Sequence, residues 1–111
     1  MKDFRDFGPI ELAVLAVVAT KPLHGYAIIE LLKIRSRQVF DLPEGTVYPT
    51  LYRLEQEGCL RSHTMTVGGR SRRVYELTSK GRSSLRQRRQ YWQRLNIGIQ
   101  SVLHGVAHGQ P

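Results

Sequence analysis

Thr46, Tyr48, Pro49, Thr50, Tyr52 and Arg53 fall within one stretch of eight positions. Their side chains are short and hydroxylated, aromatic or cationic, which suits contact with nucleic-acid base edges and phosphates. Val47, Leu51 and Leu54 stand among them at i, i+4 and i+7, the spacing of one apolar helix face. The other side chains therefore lie off that stripe. Thr46, Tyr48, Thr50 and Arg53 are the candidates for touching bases or phosphates, with Pro49 against apolar edges. Arg70, Arg72 and Arg73 gather at or beside Gly68-Gly69. Cations so placed would hold flanking phosphates in a salt-dependent, mostly sequence-blind way.

Other chemistries find little support. The chain carries no plausible nucleophile, base and acid set, no paired catalytic carboxylates and no phosphate loop, so no enzyme is expected. Among His24, His63, His104 and His108 only the last two are closely spaced, at i and i+4. Gly105, Gly109 and Pro111 suggest a frayed tail there, and no metal site or cofactor is expected. The single cysteine, Cys59, reads as a small buried side chain, in line with a reducing compartment.

The charge is unevenly placed. Of a formal net charge of +8, residues 1–60 hold seven Lys/Arg against eight Asp/Glu, whereas residues 61–111 hold ten Lys/Arg against Glu76 alone. Charge packed into one half is a footprint for a polyanion. A membrane surface fits less well, because the basic segment lacks a broad apolar face, and no apolar run is long enough to span a bilayer. The acid-bearing start of the chain lacks a signal-peptide core, which makes the cytoplasm the expected compartment. At 111 residues with 41% hydrophobic content, one domain with at most an extension is expected, and a partner subunit would help it bury surface.

Five elements would position these residues. A helix is predicted over residues 9 to about 20, with Pro9 in its first turn, Glu11 at its positive end and Lys21-Pro22 stopping it. It is apolar nearly all round and should be central. A second helix runs from about 24 to 35, and a third from 43 or 44 to 57. Pro49 lies near the start of the third, where its i−4 residue is Gly45, so the usual cost of an interior proline is softened. Residues 60–66 and 74–78 alternate on either side of Gly68-Gly69 as a two-stranded wing. The predicted class is α+β, mostly α: a winged helix-turn-helix over residues 1–78, then a C-terminal dimerisation helix and tail over 79–111. Thr78-Ser79 can cap that last helix. Leu85, Trp92, Leu95, Ile99, Val102 and Val106 advance along it by sevens, threes and fours, as heptad positions do, with Arg88 breaking one. A helix outside a complete domain has nothing of its own to cover this seam, so the same helix of a second copy is the expected partner. Packing back onto the first helix is the alternative.

Several motifs occur in order. Pro22-Leu23-His24-Gly25-Tyr26 opens helix two, Glu44-Gly45-Thr46-Val47-Tyr48-Pro49 opens helix three, and Leu54-Glu55-Gln56-Glu57-Gly58 closes it. Arg73-Val74-Tyr75-Glu76-Leu77-Thr78-Ser79-Lys80-Gly81 follows. From residue 10 to about 86 the chain resembles the PadR family of transcriptional regulators, in its compact branch with a single C-terminal helix. The resemblance implies a homodimeric repressor on double-stranded DNA with a near-palindromic operator, released by a small molecule. Helix 44–57 would read the major groove and the 68–73 wing would hold the flanking backbone, with half-sites about 10 base pairs apart. In some compact members an aromatic residue of the last helix lines a pore at the dimer centre. Trp92 matches it, and is otherwise a plain dimer-core anchor. The neighbouring Arg86, Arg88, Arg89 and Arg94 favour an anionic or aromatic, phenolic ligand over a cationic one. The rival readings are a winged helix that binds protein, and a general nucleic-acid binder, of DNA or RNA, without an inducer.

Overall fold

Proline and glycine mark most of the boundaries in the computed structural model, which describes residues 7–107. Helix α1 (Pro9–Val18) starts on Pro9 with Glu11 in its first turn, and stops two residues short of the expected end. Thr20 closes the turn by donating its hydroxyl to the Val17 carbonyl at 2.9 Å. Helix α2 (Gly25–Arg35) is capped by a side chain: His24 Nδ1 accepts the Ala27 N–H at 3.2 Å. Beyond Ser36, Arg37 and Gln38 take positive φ, and the chain turns into α3 (Glu44–Gln56). Pro49 lies inside α3, and Gly45 one turn earlier has nothing within 4 Å of where a Cβ would be.

The wing forms as the alternation predicts. Strands β2 (Leu60–Val67) and β3 (Arg70–Leu77) pair antiparallel from Leu60 opposite Leu77 to Val67 opposite Arg70. The two-residue turn needs positive φ at both positions, and Gly68 (58°) and Gly69 (78°) supply it at no steric cost. One strand was not foreseen. Leu23–His24 form β1, which adds to β3 with Leu23 opposite Tyr75 and His24 opposite Val74. The sheet therefore has three strands in the order β1-β3-β2. Two residues carry no alternation of their own, so this strand depends on a partner about fifty positions away.

The core gathers Leu15, Ile28, Leu32, Val47, Leu51, Leu54 and Leu60 from α1, α2, α3 and the wing base. Helix α4 (Ser79–Ala107) leaves the wing through Thr78, whose hydroxyl accepts the Gly81 N–H at 3.0 Å and donates to the Gly58 carbonyl at 2.6 Å. Its start presses on the body so closely that a Cβ on Gly81 would lie 2.1 Å from the Cys59 carbonyl oxygen.

That docking corrects the heptad reading. Leu85, assigned to the dimer seam, is 9% exposed and sits in the core of its own chain. Arg88, the apparent break in the seam, is 3% exposed. Its Nε donates to Ser84 Oγ at 3.0 Å, and its guanidinium lies 5.7 Å from the centre of the Phe7 ring. The first turns of α4 face α1 and the sheet, so the available seam begins beyond them. Among the described residues no helix is long and apolar enough to cross a membrane.

Candidate nucleic-acid interface

Helix α3 buries Val47, Thr50, Leu51 and Leu54 and exposes Tyr48, Pro49, Tyr52 and Arg53. Thr50 is therefore not a surface contact. It is 4% exposed, and its hydroxyl donates to the Thr46 carbonyl at 2.9 Å. The reason is helical geometry: three positions beyond Val47 is the same face, and a threonine can occupy it once its hydroxyl is satisfied by its own backbone. Thr46 is half-buried at the start of the helix. Arg53 is half-exposed and ion-paired to Glu11 of α1 at 3.4 Å. Tyr52, off the apolar stripe but not among the residues singled out for contact, is 66% exposed. Its position four residues beyond Tyr48 was the available signal.

The three wing arginines have different surroundings. Arg70 is exposed at the turn. Arg72 is half-buried, with Nη1 at 3.1 Å from Nε2 and 3.5 Å from Nδ1 of His24. Arg73 donates to Ser62 Oγ at 2.8 Å, and Ser62 donates onward to the Glu55 carboxylate at 2.7 Å. Burial pushes the Tyr75 phenol up from its ordinary value, with Glu55 adding to the shift and Arg73 opposing it. Tyr75 is thus a neutral phenol at the wing base. Arg61 pairs with Glu76, so the lone acid of the basic half is already engaged.

These elements border an open cleft of about 520 Å³ between the start of α2, Tyr48 of α3 and the outer part of β3. Arg70, Arg72 and Arg73 line it, and among the described residues no carboxylate does. His24 and Gly25 also line it; neither was expected to contribute. Gly25 has a steric role: a Cβ there would lie 2.5 Å from a ring carbon of Tyr48.

The distal part of α4 is a second feature. Trp92 is 43% exposed, and Leu95, Ile99 and Val102 are exposed with it. A trough of about 610 Å³ runs along this face beside Tyr91, Arg94, Leu95, Ile99 and Val102. Trp92, the expected ligand residue, does not line it. Tyr91 does, and its ring stacks on Phe7 at 4.9 Å between centres. The described residues hold no group of three or more His, Cys, Asp or Glu placed for a metal ion, and His108 lies outside them. Cys59 is buried.

The geometry has clear relatives. Residues 14–87 match the model of the Transcriptional regulator PadR-like family. Transcriptional regulator Rv3488 of Mycobacterium tuberculosis is 36% identical over 108 residues, 97% of this chain and 94% of that protein. A PadR family transcription regulator of hypervirulent Clostridium difficile R20291 superposes with a TM-score of 0.75 at 28% identity, covering 86% of this chain and 99% of that one. A PadR family transcriptional regulator of Eggerthella lenta DSM 2243 gives 0.76 at 29% identity, covering 85% and 80%.

Proposed function

Since the chain belongs to the PadR-like family of DNA-binding transcriptional regulators, we propose that it is a homodimeric, ligand-responsive repressor working in the cytoplasm on a near-palindromic operator. The observation that carries this reading is the exposed face of α3, with Tyr48, Pro49, Tyr52 and Arg53, whose Tyr48 shares a cleft with Arg70, Arg72 and Arg73 of the wing. An α-helix fits the major groove, and its outer side chains reach base edges there. Tyr52 and Arg53 with Pro49 carry the sequence preference, Thr46 lies at the phosphate margin, and the wing arginines hold the backbone.

Residues 1–78 form the DNA-reading unit, and 79–111 the dimerising one, with the first turns of α4 shared between them. Trp92, Leu95, Ile99 and Val102 supply the apolar seam for a second copy. The trough beside them has the volume of a small-molecule site. Its apolar walls and Arg94 suit a small aromatic or anionic ligand, with Tyr91 in its lining.

Fluorescence anisotropy against the duplex upstream of the chain's own gene and a shuffled duplex, at two salt concentrations, tests the reading. A preference of at least about 10³-fold, the low end for specific binders, is expected. Equal, salt-sensitive affinity across a scan of upstream duplexes would mean a general nucleic-acid binder. Sedimentation equilibrium tests the dimer.

A further inference from the structure

Two consecutive residues at the β1–α2 joint each hold a group from a different DNA-facing element. Gly25 presents bare backbone to the Tyr48 ring of α3, and a Cβ there would fall 2.5 Å from a ring carbon and 2.7 Å from the phenol oxygen. His24 uses Nδ1 to cap α2 through the Ala27 N–H, and its ring lies against Arg72 Nη1 of the wing at 3.1 Å. Tyr48 and Arg72 thereby both line one open cleft of about 520 Å³.

The charge of this cleft is one-sided. Arg70 and Arg73 lie beside Arg72, and among the described residues no carboxylate lines it. The nearby acids are occupied elsewhere, Glu55 by Ser62 and Glu76 by Arg61. A cation and a phenol lining the same open cleft suit a group that carries negative charge and accepts hydrogen bonds. A backbone phosphodiester is such a group. The cleft is too open to enclose a free anion, and it adjoins the outer face of α3, where a duplex strand would pass.

We propose that this cleft seats one phosphodiester of the bound DNA, with Tyr48 and Arg72 as its ligands and Gly25 and His24 as the positioning residues that set their spacing. The proposal rests on the DNA-binding reading above and deepens it. It moves Tyr48 from base reading to backbone holding, and it ties helix α3 and the wing to one short segment, so that both grip the same strand.

The test is a set of variants titrated against the upstream and shuffled duplexes, with thermal unfolding as the folding control. Tyr48→Phe keeps the ring on Gly25 and removes only the hydroxyl. It should weaken both duplexes by the same factor, about tenfold for a hydrogen bond to a charged group. Gly25→Ala should give a similar loss, and the double variant should be no worse than either single one, the mark of one shared contact. Arg72→Gln should flatten the salt dependence by about 0.9 in log–log slope per half-site, the value for one phosphate. His24→Asn keeps a capping acceptor and removes the ring, so it should match Arg72→Gln with an unchanged melting temperature.

A change of sequence preference in Tyr48→Phe would overturn the assignment, as would additive losses in the double variant or an unchanged slope in Arg72→Gln. Should Gly25→Ala fail to fold, Tyr48→Phe and Arg72→Gln decide alone. Inorganic phosphate, added at constant ionic strength, should not compete with DNA. Strong competition would make the cleft a free-anion site and reject the proposal. If the wild type binds neither duplex at low salt, the DNA-binding reading itself falls and takes this site with it. Binding that persists while the variant pattern fails rejects only the site.

Discussion

The two ends of helix α4 share one spacing and meet opposite fates. Near its start, Gly81 and Leu85 lie buried against the body, followed by Arg88. From mid-helix onward, Trp92, Leu95, Ile99 and Val102 continue the same progression but stay exposed in the single chain. A periodic apolar face therefore says that something must cover it, and leaves open what does. The first turns are covered by α1 and the wing base. The later turns project past them and are left for a second copy or a ligand.

Matched substitutions at the two ends would sharpen or break this contrast. The largest effect is expected for Leu85→Ala, at about 2–4 kcal/mol of unfolding free energy, because it opens a cavity in a packed core. Leu95→Ala should leave the stability of protein diluted to monomer nearly unchanged. It should instead raise the dimer dissociation constant by at least about tenfold, since each copy loses a buried leucine side chain. Urea unfolding and sedimentation equilibrium separate the two, and equal losses in the diluted monomer would erase the distinction.

Glycine gives the next contrast. Gly81→Ala drives a Cβ into the Cys59 carbonyl and should cost about 1–3 kcal/mol, as overpacking does. Among the described residues nothing lies within 4 Å of a would-be Cβ on Gly98. Gly98→Ala should therefore stabilise the helix by about 0.5–1 kcal/mol, read as higher helicity and melting temperature. A loss at Gly98 would show that a partner helix approaches its backbone closely.

The smallest effect is expected at Arg88. Its Nη2 is 3.9 Å from the Glu57 carboxylate, and its buried Nη1 has no hydrogen-bond partner among the described residues. A buried cation so incompletely paired contributes little once its desolvation is counted. Arg88→Met should fall within about 1 kcal/mol of wild type or on the stable side, measured by urea unfolding. A large loss would mean that the guanidinium holds Phe7 and Ser84 in place more firmly than their geometry suggests.

Much of the fold was legible in the sequence because its signals are local. Pro9 and Lys21-Pro22 bounded α1 to within two residues. Gly68-Gly69 placed the wing turn, and Thr78 marked the start of α4. The candidate site was legible only in outline. The apolar stripe of α3 correctly separated Tyr48, Pro49 and Arg53 from the core, but Thr50 was misplaced, because a hydroxyl satisfied by its own helix can be buried. Tyr52 also lay off that stripe and shares the outer face, though it was not singled out as a contact. Strand β1 was invisible, since two residues next to a proline carry no pattern.

Backbone conformations, apolar faces and the crowding of positive charge into residues 61–111 were determined by the sequence alone, because each depends on residues a few positions apart or on composition. Only the tertiary structure decided which similar residues meet. His24 reaches Arg72 across 48 positions, Tyr48 rests on Gly25, and Leu85 falls into the core while Leu95 does not. Those outcomes depend on distances between elements far apart in the chain, and such distances are set when the core packs.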